Sequence, residues 1–565
     1  MRTARAPFAV ACCLLGACSS SHAGTSAANA GAGGEAVSAA GGSSGATAPG
    51  GGSTALAGGG GSAALAGSGG ITAAIAGPTV AEFMGVNGFI DDDPAKLSAV
   101  GNVREYHNWT WNDGNGVQGY VGYPDNKLEF SVFNGFWDFD AYYSKLDSAG
   151  VLVFPCIQGS VDYLASAMPP VAKGADATDP ASYVAHAAFM YQYAARYGST
   201  AVAASKLKLD PAQKVASGLK LLPYYEDGNE PDANWVHADG SFLFTPEMTA
   251  AMASADYDGD QGKLGGEFGV KTADPQAKLV LAGLAGAGPK DFLSNVTGYL
   301  DGMRAWATAH RAGSFPADVI NVHDYCFGPD PFGTASPKPG LSPEECKLQE
   351  LLASVAQYRD KNLPGKELWL TEFGYDTHPK SRLRAPAIAD ASAEVVQGQW
   401  LVRSFLALMA SGIDRAFMFV SRDSCTGDDT ACPNNAVQFS TSGVLTQKGA
   451  EAPKVAYYFL AAFRARLAAM HYLGSLASGT GKVSIARFYD PVKDVGAYVL
   501  WSPTSVGSVT KDFALSVSST LTQATLVTLV DKSVTGQELA LTAKQGTLTL
   551  SVGETPSIVL VTGKP

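Results

Sequence analysis

Between residues 78 and 472 the chain repeats one pattern eight times: a short apolar run, a polar loop, then a longer stretch with helical spacing. The apolar runs fall at 83–86, 103–106, 151–156, 220–225, 279–282, 319–323, 368–372 and 416–420. Several, such as Leu279-Val280-Leu281-Ala282, have no polar face. A strand that is apolar on both sides belongs in a parallel sheet covered on both sides. Helical stretches at 180–197, 292–309, 344–359 and 393–410 lie between them. Eight β/α units in series predict a closed (β/α)8 barrel, the TIM-barrel architecture. An open doubly wound sheet would want a glycine-rich phosphate loop after its first strand, and Gly85-Val86-Asn87-Gly88-Phe89 does not supply one.

Beyond residue 473 the pattern changes. Segments 483–488, 496–501, 512–517, 524–529, 547–552 and 557–561 alternate apolar and polar residues between turn signals. They predict a C-terminal antiparallel β-sandwich over 473–565. At the other end, Arg2 and Arg5 precede an apolar stretch that closes on Leu15-Gly16-Ala17-Cys18. This is a signal-peptide layout, and its last four residues resemble a bacterial lipobox, in which the cysteine, here Cys18, carries the lipid. Residues 19–77 are almost wholly Gly, Ala, Ser and Thr. Such a segment buries too little apolar surface to offset its ordering entropy, so a disordered tether is expected. Together these features predict an exported envelope lipoprotein, attached to a membrane only through its lipid.

The formal charge is -12, with 40 Lys and Arg against 52 Asp and Glu. An acidic chain without a basic cluster is a poor ligand for a phosphate backbone, which argues against nucleic acid as a partner. Export permits disulfides. Cys326 with Cys346, and Cys425 with Cys432, are plausible loop staples, whereas Cys156 sits in an apolar run and reads as a buried free thiol. No Cys/His spacing suggests a metal. The run Asp256-Tyr257-Asp258-Gly259-Asp260 imitates a calcium loop, but Gln261 stands where the sharp turn needs glycine, so a solvated loop is expected. No metal or organic cofactor is predicted.

In a (β/α)8 barrel the reactive side chains sit at the C-terminal ends of the strands. Two of these ends carry glutamate. The fourth strand leads into Gly228-Asn229-Glu230-Pro231, and the seventh runs through Leu370-Thr371-Glu372-Phe373. Glu230 and Glu372 are thus expected to face each other across one mouth. Two carboxyls across a cleft suit glycoside hydrolysis, where one group protonates the departing oxygen and the other meets the oxocarbenium-like carbon. Neighbouring negative charge helps to divide the two roles, because it raises the pKa of the partner.

An Asn-Glu-Pro after strand four with a Thr-Glu-Phe-Gly after strand seven resembles the clan A retaining glycoside hydrolases, over residues 79–472. The β-domain makes family 39 the most similar, with families 5 and 30 as alternatives. The resemblance implies Glu230 as general acid/base and Glu372 as nucleophile. It further implies Asn229 on the sugar 2-hydroxyl, Arg104 beside the nucleophile, and His323 and Tyr325 near it. A guanidinium at Arg104 also makes physical sense, since it would keep Glu372 ionised and fix its angle. The chain departs from the clan pattern at Gly228, where a Trp is common, and on strand eight, whose aromatic must be found among Phe417-Met418-Phe419. Of the Trp residues expected near the mouth (Trp109, Trp111, Trp137 and Trp235), Trp111 and Trp235 are the candidates for sugar platforms. The expected partner is a carbohydrate substrate. The competing reading is a carbohydrate-binding lipoprotein whose barrel has lost catalysis.

Overall fold

A computed structural model describes residues 77–114, 119–131, 137–164, 168–237, 239–330, 334–425 and 437–565. The expected signal peptide with Cys18, nearly all of the tether, and Cys432 lie outside the described residues. Eight parallel strands close in sequence order, and the eighth pairs back on the first. They are β1 (Met84–Gly88), β2 (Asn102–Asn108), β3 (Val153–Gln158), β4 (Tyr224–Glu226), β5 (Lys278–Val280), β6 (Val319–His323), β7 (Glu367–Glu372) and β8 (Arg415–Met418). Each overlaps one of the eight expected runs except at short margins. The largest difference is β4, expected from residue 220 but beginning at Tyr224. The N–H groups of Leu221 and Leu222 both donate to Tyr197 O, at 2.8 and 3.0 Å, so this part of the run closes the end of the helix Val184–Tyr197 instead of joining the sheet.

Alternate side chains of each strand point into the barrel. The lower interior layer is apolar and made by Phe154, Tyr224, Val280, Val319, Trp369 and Phe417. Two residues further along β4 and β6 the interior turns polar at Glu226 and Asn321, which with Arg104 of β2 are fully buried. The apolar layer closes the bottom of the barrel, so the polar layer can be reached only from the C-terminal ends of the strands.

The C-terminal unit is a six-stranded antiparallel sheet facing a two-stranded one. Its strands are β9 (His471–Leu476), β10 (Ser484–Asp490), β11 (Val495–Trp501), β12 (Thr510–Ser516), β13 (Gln523–Thr528), β14 (Gln537–Thr542), β15 (Thr547–Val552) and β16 (Ser557–Thr562). β9 and β14 are not among the six expected segments; β14 is largely exposed, with only Leu541 partly packed on the core between the sheets. Ile485, Leu500, Phe513, Leu548 and Val559 fill the space between the two sheets. The opposite face of the large sheet, with Phe488, Val499 and Ile558, joins the core of the barrel helices. Arg403, fully buried, ties the units together: its Nε donates to Glu344 Oε1 at 3.0 Å and its Nη1 to Thr504 O at 2.9 Å. Trp501 Nε1 donates to the same Glu344 oxygen at 2.8 Å.

The segment that imitates a calcium loop is not a solvated loop. Asp256 and Asp258 end the helix Pro246–Asp258, and Asp256 is fully buried with its Oδ2 2.8 Å from His186 Nδ1. Asp258 is held by Arg311 at 2.8 Å. A helix of largely small residues lets that last turn pack inward. Among the described residues no helix is long and apolar enough to cross a membrane.

Cys326 and Cys346 are bonded, with Cα atoms 5.6 Å apart, and Cys156 is a buried free thiol. Cys425 is also disulfide-bonded. The Cys326–Cys346 bridge pins the segment directly after Tyr325 and closes a loop of 20 residues, worth about 3 kcal/mol in the chain-entropy account. The double variant C326A/C346A should therefore unfold at a lower temperature in calorimetry, and an unchanged transition would refute a stapling role.

Candidate active site

Strand alternation would send Trp369 and Thr371 inward and Glu372 outward. A bulge changes this: Val322 pairs with Leu370 but His323 pairs with Glu372, which leaves one extra residue on β7. Bulges re-aim side chains in this way at the rims of barrels. Thr371 and Glu372 both reach the interior as a result. Glu372 is 5% exposed and accepts three hydrogen bonds: Arg104 Nη1 at 2.8 Å and Tyr106 OH at 2.5 Å on Oε1, and Tyr325 OH at 2.8 Å on Oε2. Burial alone would raise its pKa. The charge of a protonated His323 and that of Arg104, followed by the two phenol hydroxyls, outweigh burial and hold the carboxyl below the usual range. For Tyr106 and Tyr325, burial and then the charge of Glu372 push the phenols far above their usual value, so both remain O–H donors.

Glu230 enters from the loop after β4. Its backbone is left-handed, at φ 46°, a conformation that costs a non-glycine residue about 1 kcal/mol. The strain is held by its N–H, which donates to Gly283 O at 3.0 Å. Its side chain is partly exposed, and Oε1 lies 3.0 Å from His323 Nδ1. Gly283 also makes room for that ring, since a Cβ there would stand 2.1 Å from His323 Nε2. Single atoms of Glu230, His323 and Glu372 lie within 4.8 Å of one another. The trio is the one group with metal-ligand spacing among the described residues. Arg104 already stands against Glu372, and the His323 ring lies between the two carboxylates.

Arg104 uses every arm. Nε and Nη2 fork onto Glu226 at 2.6 and 2.8 Å, Nη1 reaches Asn87 Oδ1 at 2.9 Å as well as Glu372, and Nη2 also donates to Asn229 Oδ1 at 2.9 Å. With its oxygen taken, Asn229 has its amide nitrogen left for a ligand. Glu226 is a third carboxylate of the site, fully buried; the sequence did not single it out, nor Tyr106, Asn321 or Thr371. Period two does carry the signal: Glu226 follows inward Tyr224, Tyr106 follows Arg104, and Asn321 lies between Val319 and His323.

Glu230, Glu372, Asn229, Tyr106 and Tyr325 line one cleft of about 230 Å³. Trp235 lies on its edge and is 55% exposed. Phe419, just past the end of β8, and Phe439 line the same space, so Phe419 is the strand-eight aromatic; Phe417 lies in the lower apolar layer. Trp111 is elsewhere. It packs on His107 and Phe139, with centroids at 5.5 and 6.4 Å, and does not line the cleft. Trp109 is fully buried, with Nε1 bonded to Asp113 at 3.0 Å.

No protein-family model matches the sequence, and no curated protein does. Among solved structures the chain is similar to a family 39 glycoside hydrolase from the gut symbiont Bacteroides cellulosilyticus WH2. The identity is 15%, the TM-score 0.54, and the match covers 85% of this chain and 80% of that one. It is also similar to a glucosidase from Croceicoccus marinus, at 12% identity and a TM-score of 0.50, over 86% of this chain and 98% of that one. What is shared at this identity is the fold.

Tyr106 and Tyr325 each favour the ionised form of Glu372, so Y106F or Y325F should raise its titration midpoint, by about one pH unit. A carbon-13 carboxyl titration reads this directly. Unchanged midpoints in both variants would mean that Arg104 and His323 hold the charge without the phenols.

Proposed function

We propose that this protein is a retaining glycoside hydrolase that cleaves O-glycosidic bonds of a poly- or oligosaccharide. The observation that carries the reading is the spacing and unlike settings of two carboxylates in one cleft. Oxygens of Glu230 and Glu372 approach within 4.8 Å, nearer the ~5–5.5 Å of covalent, retaining catalysis than the ~6.5–9.5 Å that leaves room for a water. Glu372 is buried, oriented by three donors and kept ionised, which suits a nucleophile. Glu230 is more exposed and, among the described residues, its carboxylate is bonded through one oxygen to His323, which suits a group that exchanges protons with substrate and water.

In the first step Glu372 attacks the anomeric carbon, the bond to the leaving oxygen breaks, and that oxygen takes a proton from Glu230. In the second, water attacks the same carbon, gives a proton to Glu230, and releases Glu372 as carboxylate. Asn229, its oxygen fixed by Arg104, presents its amide nitrogen toward a sugar hydroxyl. Trp235 offers an aromatic face at the edge of the cleft.

E372Q should abolish turnover on a polysaccharide panel. E230Q should slow it by about 10²–10⁴ on glycosides with poor leaving groups, and far less on activated aryl glycosides. NMR of the first product should show the starting anomer. Initial inversion, or near-normal turnover by E372Q, would overturn the assignment.

Export and tethering form a second part of the proposal, supported by the lipobox-like Leu15-Gly16-Ala17-Cys18 and the Gly/Ala/Ser-rich residues that follow. The full chain expressed in a bacterial host should incorporate labelled palmitate, and C18S should not. Equal labelling of the two would exclude Cys18 as the anchor.

A further inference from the structure

Inside the barrel, one line of hydrogen bonds runs from Arg104 to Glu230, and the donor in each of its bonds is determined by the bond before. Arg104 has only N–H groups and donates to both oxygens of Glu226. Glu226 Oε1, an acceptor there, is also 2.9 Å from the Asn321 amide, which must therefore turn its nitrogen to it. Asn321 Oδ1 then faces Thr371 Oγ1 at 2.8 Å, and the single hydroxyl proton of Thr371 is committed to that bond. The threonine oxygen is left to accept from His323 Nε2, 2.9 Å away. The imidazole thus keeps a proton on Nε2 and turns Nδ1 toward Glu230 Oε1 at 3.0 Å and Glu372 Oε1 at 3.5 Å.

We propose that Glu226, Asn321 and Thr371 act as positioning residues that fix the tautomer of His323, so that one proton is held between His323 Nδ1 and Glu230 Oε1, and that this is the proton delivered to the leaving group. The inference rests on the glycosidase reading given above. A neutral ring protonated at Nε2 has a lone pair at Nδ1. In a buried site a lone pair aimed at two carboxylate oxygens is repelled, so a proton must lie in the contact, on the nitrogen or on the oxygen. The groups facing the ring are Glu230 from the loop after β4, Glu372 and Thr371 from β7, and the Arg104 cation from β2; Gly283 covers the remaining side without charge. Burial opposes protonation of the ring and Arg104 repels it, yet Glu372 and Glu230 outweigh both and raise His323 above its ordinary value.

The proton accounting closes over the two steps. In the first, the O–H bond at Glu230 breaks and the leaving oxygen gains the proton, with the Nδ1 proton moving to Oε1 if it began on the ring. In the second, a proton of the attacking water returns to the same pair.

Nitrogen-15 labelling of the eight His residues, with the His323 signals assigned by their loss in H323Q, tests the tautomer in the whole wild-type chain. Nε2 should stay protonated throughout the folded range while Nδ1 titrates. T371V removes the acceptor for Nε2–H and should move the proton to Nδ1. On a substrate with a poor leaving group its basic limb of kcat/KM should fall by about one pH unit or more, while an aryl glycoside that departs unassisted shows no such shift. T371S, which restores the hydroxyl, should return the wild-type limb. A wild-type ring protonated at Nδ1 with Nε2 bare would overturn the relay, and so would a T371V with unchanged tautomer and profile. The wild-type spectrum decides the tautomer even if T371V fails to fold. If no glycoside is turned over, the functional reading fails while the spectrum still judges the relay.

Discussion

A guanidinium with no access to water holds this site together. Arg104 lies in the barrel with Glu226 and Glu372 against it, and its arms also reach Asn87 and Asn229. Removing a charge from water costs several kcal/mol, and only close, well-directed partners repay it. The dependence is mutual. Without Arg104, Glu226 would be a buried anion lacking its principal counterion, and Glu372 would lose the guanidinium bonded to it. The five residues come from β1, β2, β7, the end of β4 and the loop after it, so the closure of the barrel and the ionic state of its centre are one constraint.

The fold was legible because hydrophobicity writes it plainly. Runs such as Leu279-Val280-Leu281-Ala282 admit few structures other than a covered parallel strand. The pair Glu230 and Glu372 was legible because glutamate after such a run is conspicuous. The supporting residues were harder to find, for a physical reason. Glu226 and Asn321 stand within or directly after apolar stretches, where a polar residue reads as an interruption until its partner across the barrel is known. Nothing local signals the bulge at Thr371, which depends on pairing with β6. The left-handed backbone of Glu230 is equally a product of the hydrogen bond to Gly283, 53 residues away in sequence. Trp111 shows the converse: a loop position near the mouth does not determine which way the indole turns, and here Phe139 and His107 take it.

The two domains share more than a linker. The run Val495–Trp501 is buried along nearly its whole length because β11 is covered by the small sheet on one face and by barrel helices on the other. Glu344 is anchored by Arg403 from the helix Ala393–Ser411 and by Trp501 from β11. Glu344 lies two residues before Cys346, whose disulfide reaches Cys326 beside Tyr325. A short covalent and ionic path therefore connects the sandwich to a residue that bonds Glu372. The sandwich is thereby tied to the rim of the cleft from behind.

The charges of the site also explain why a buried centre can work without reorganising. Before reaction, Arg104 is balanced by Glu226, Glu372 is ionised, and the pair His323 and Glu230 carries one proton. After the first step of the proposed reaction, Glu372 is an ester without charge, and the proton has left the pair, which is now the ionised member. One negative charge has moved from Glu372 to Glu230, across less than 5 Å, and the total is unchanged. In a medium of low polarity, a reaction that created or destroyed net charge would oppose itself at one step or the other. The fixed cation on one side and the shared proton on the other let the charge transfer while the surrounding dipoles stay where folding placed them.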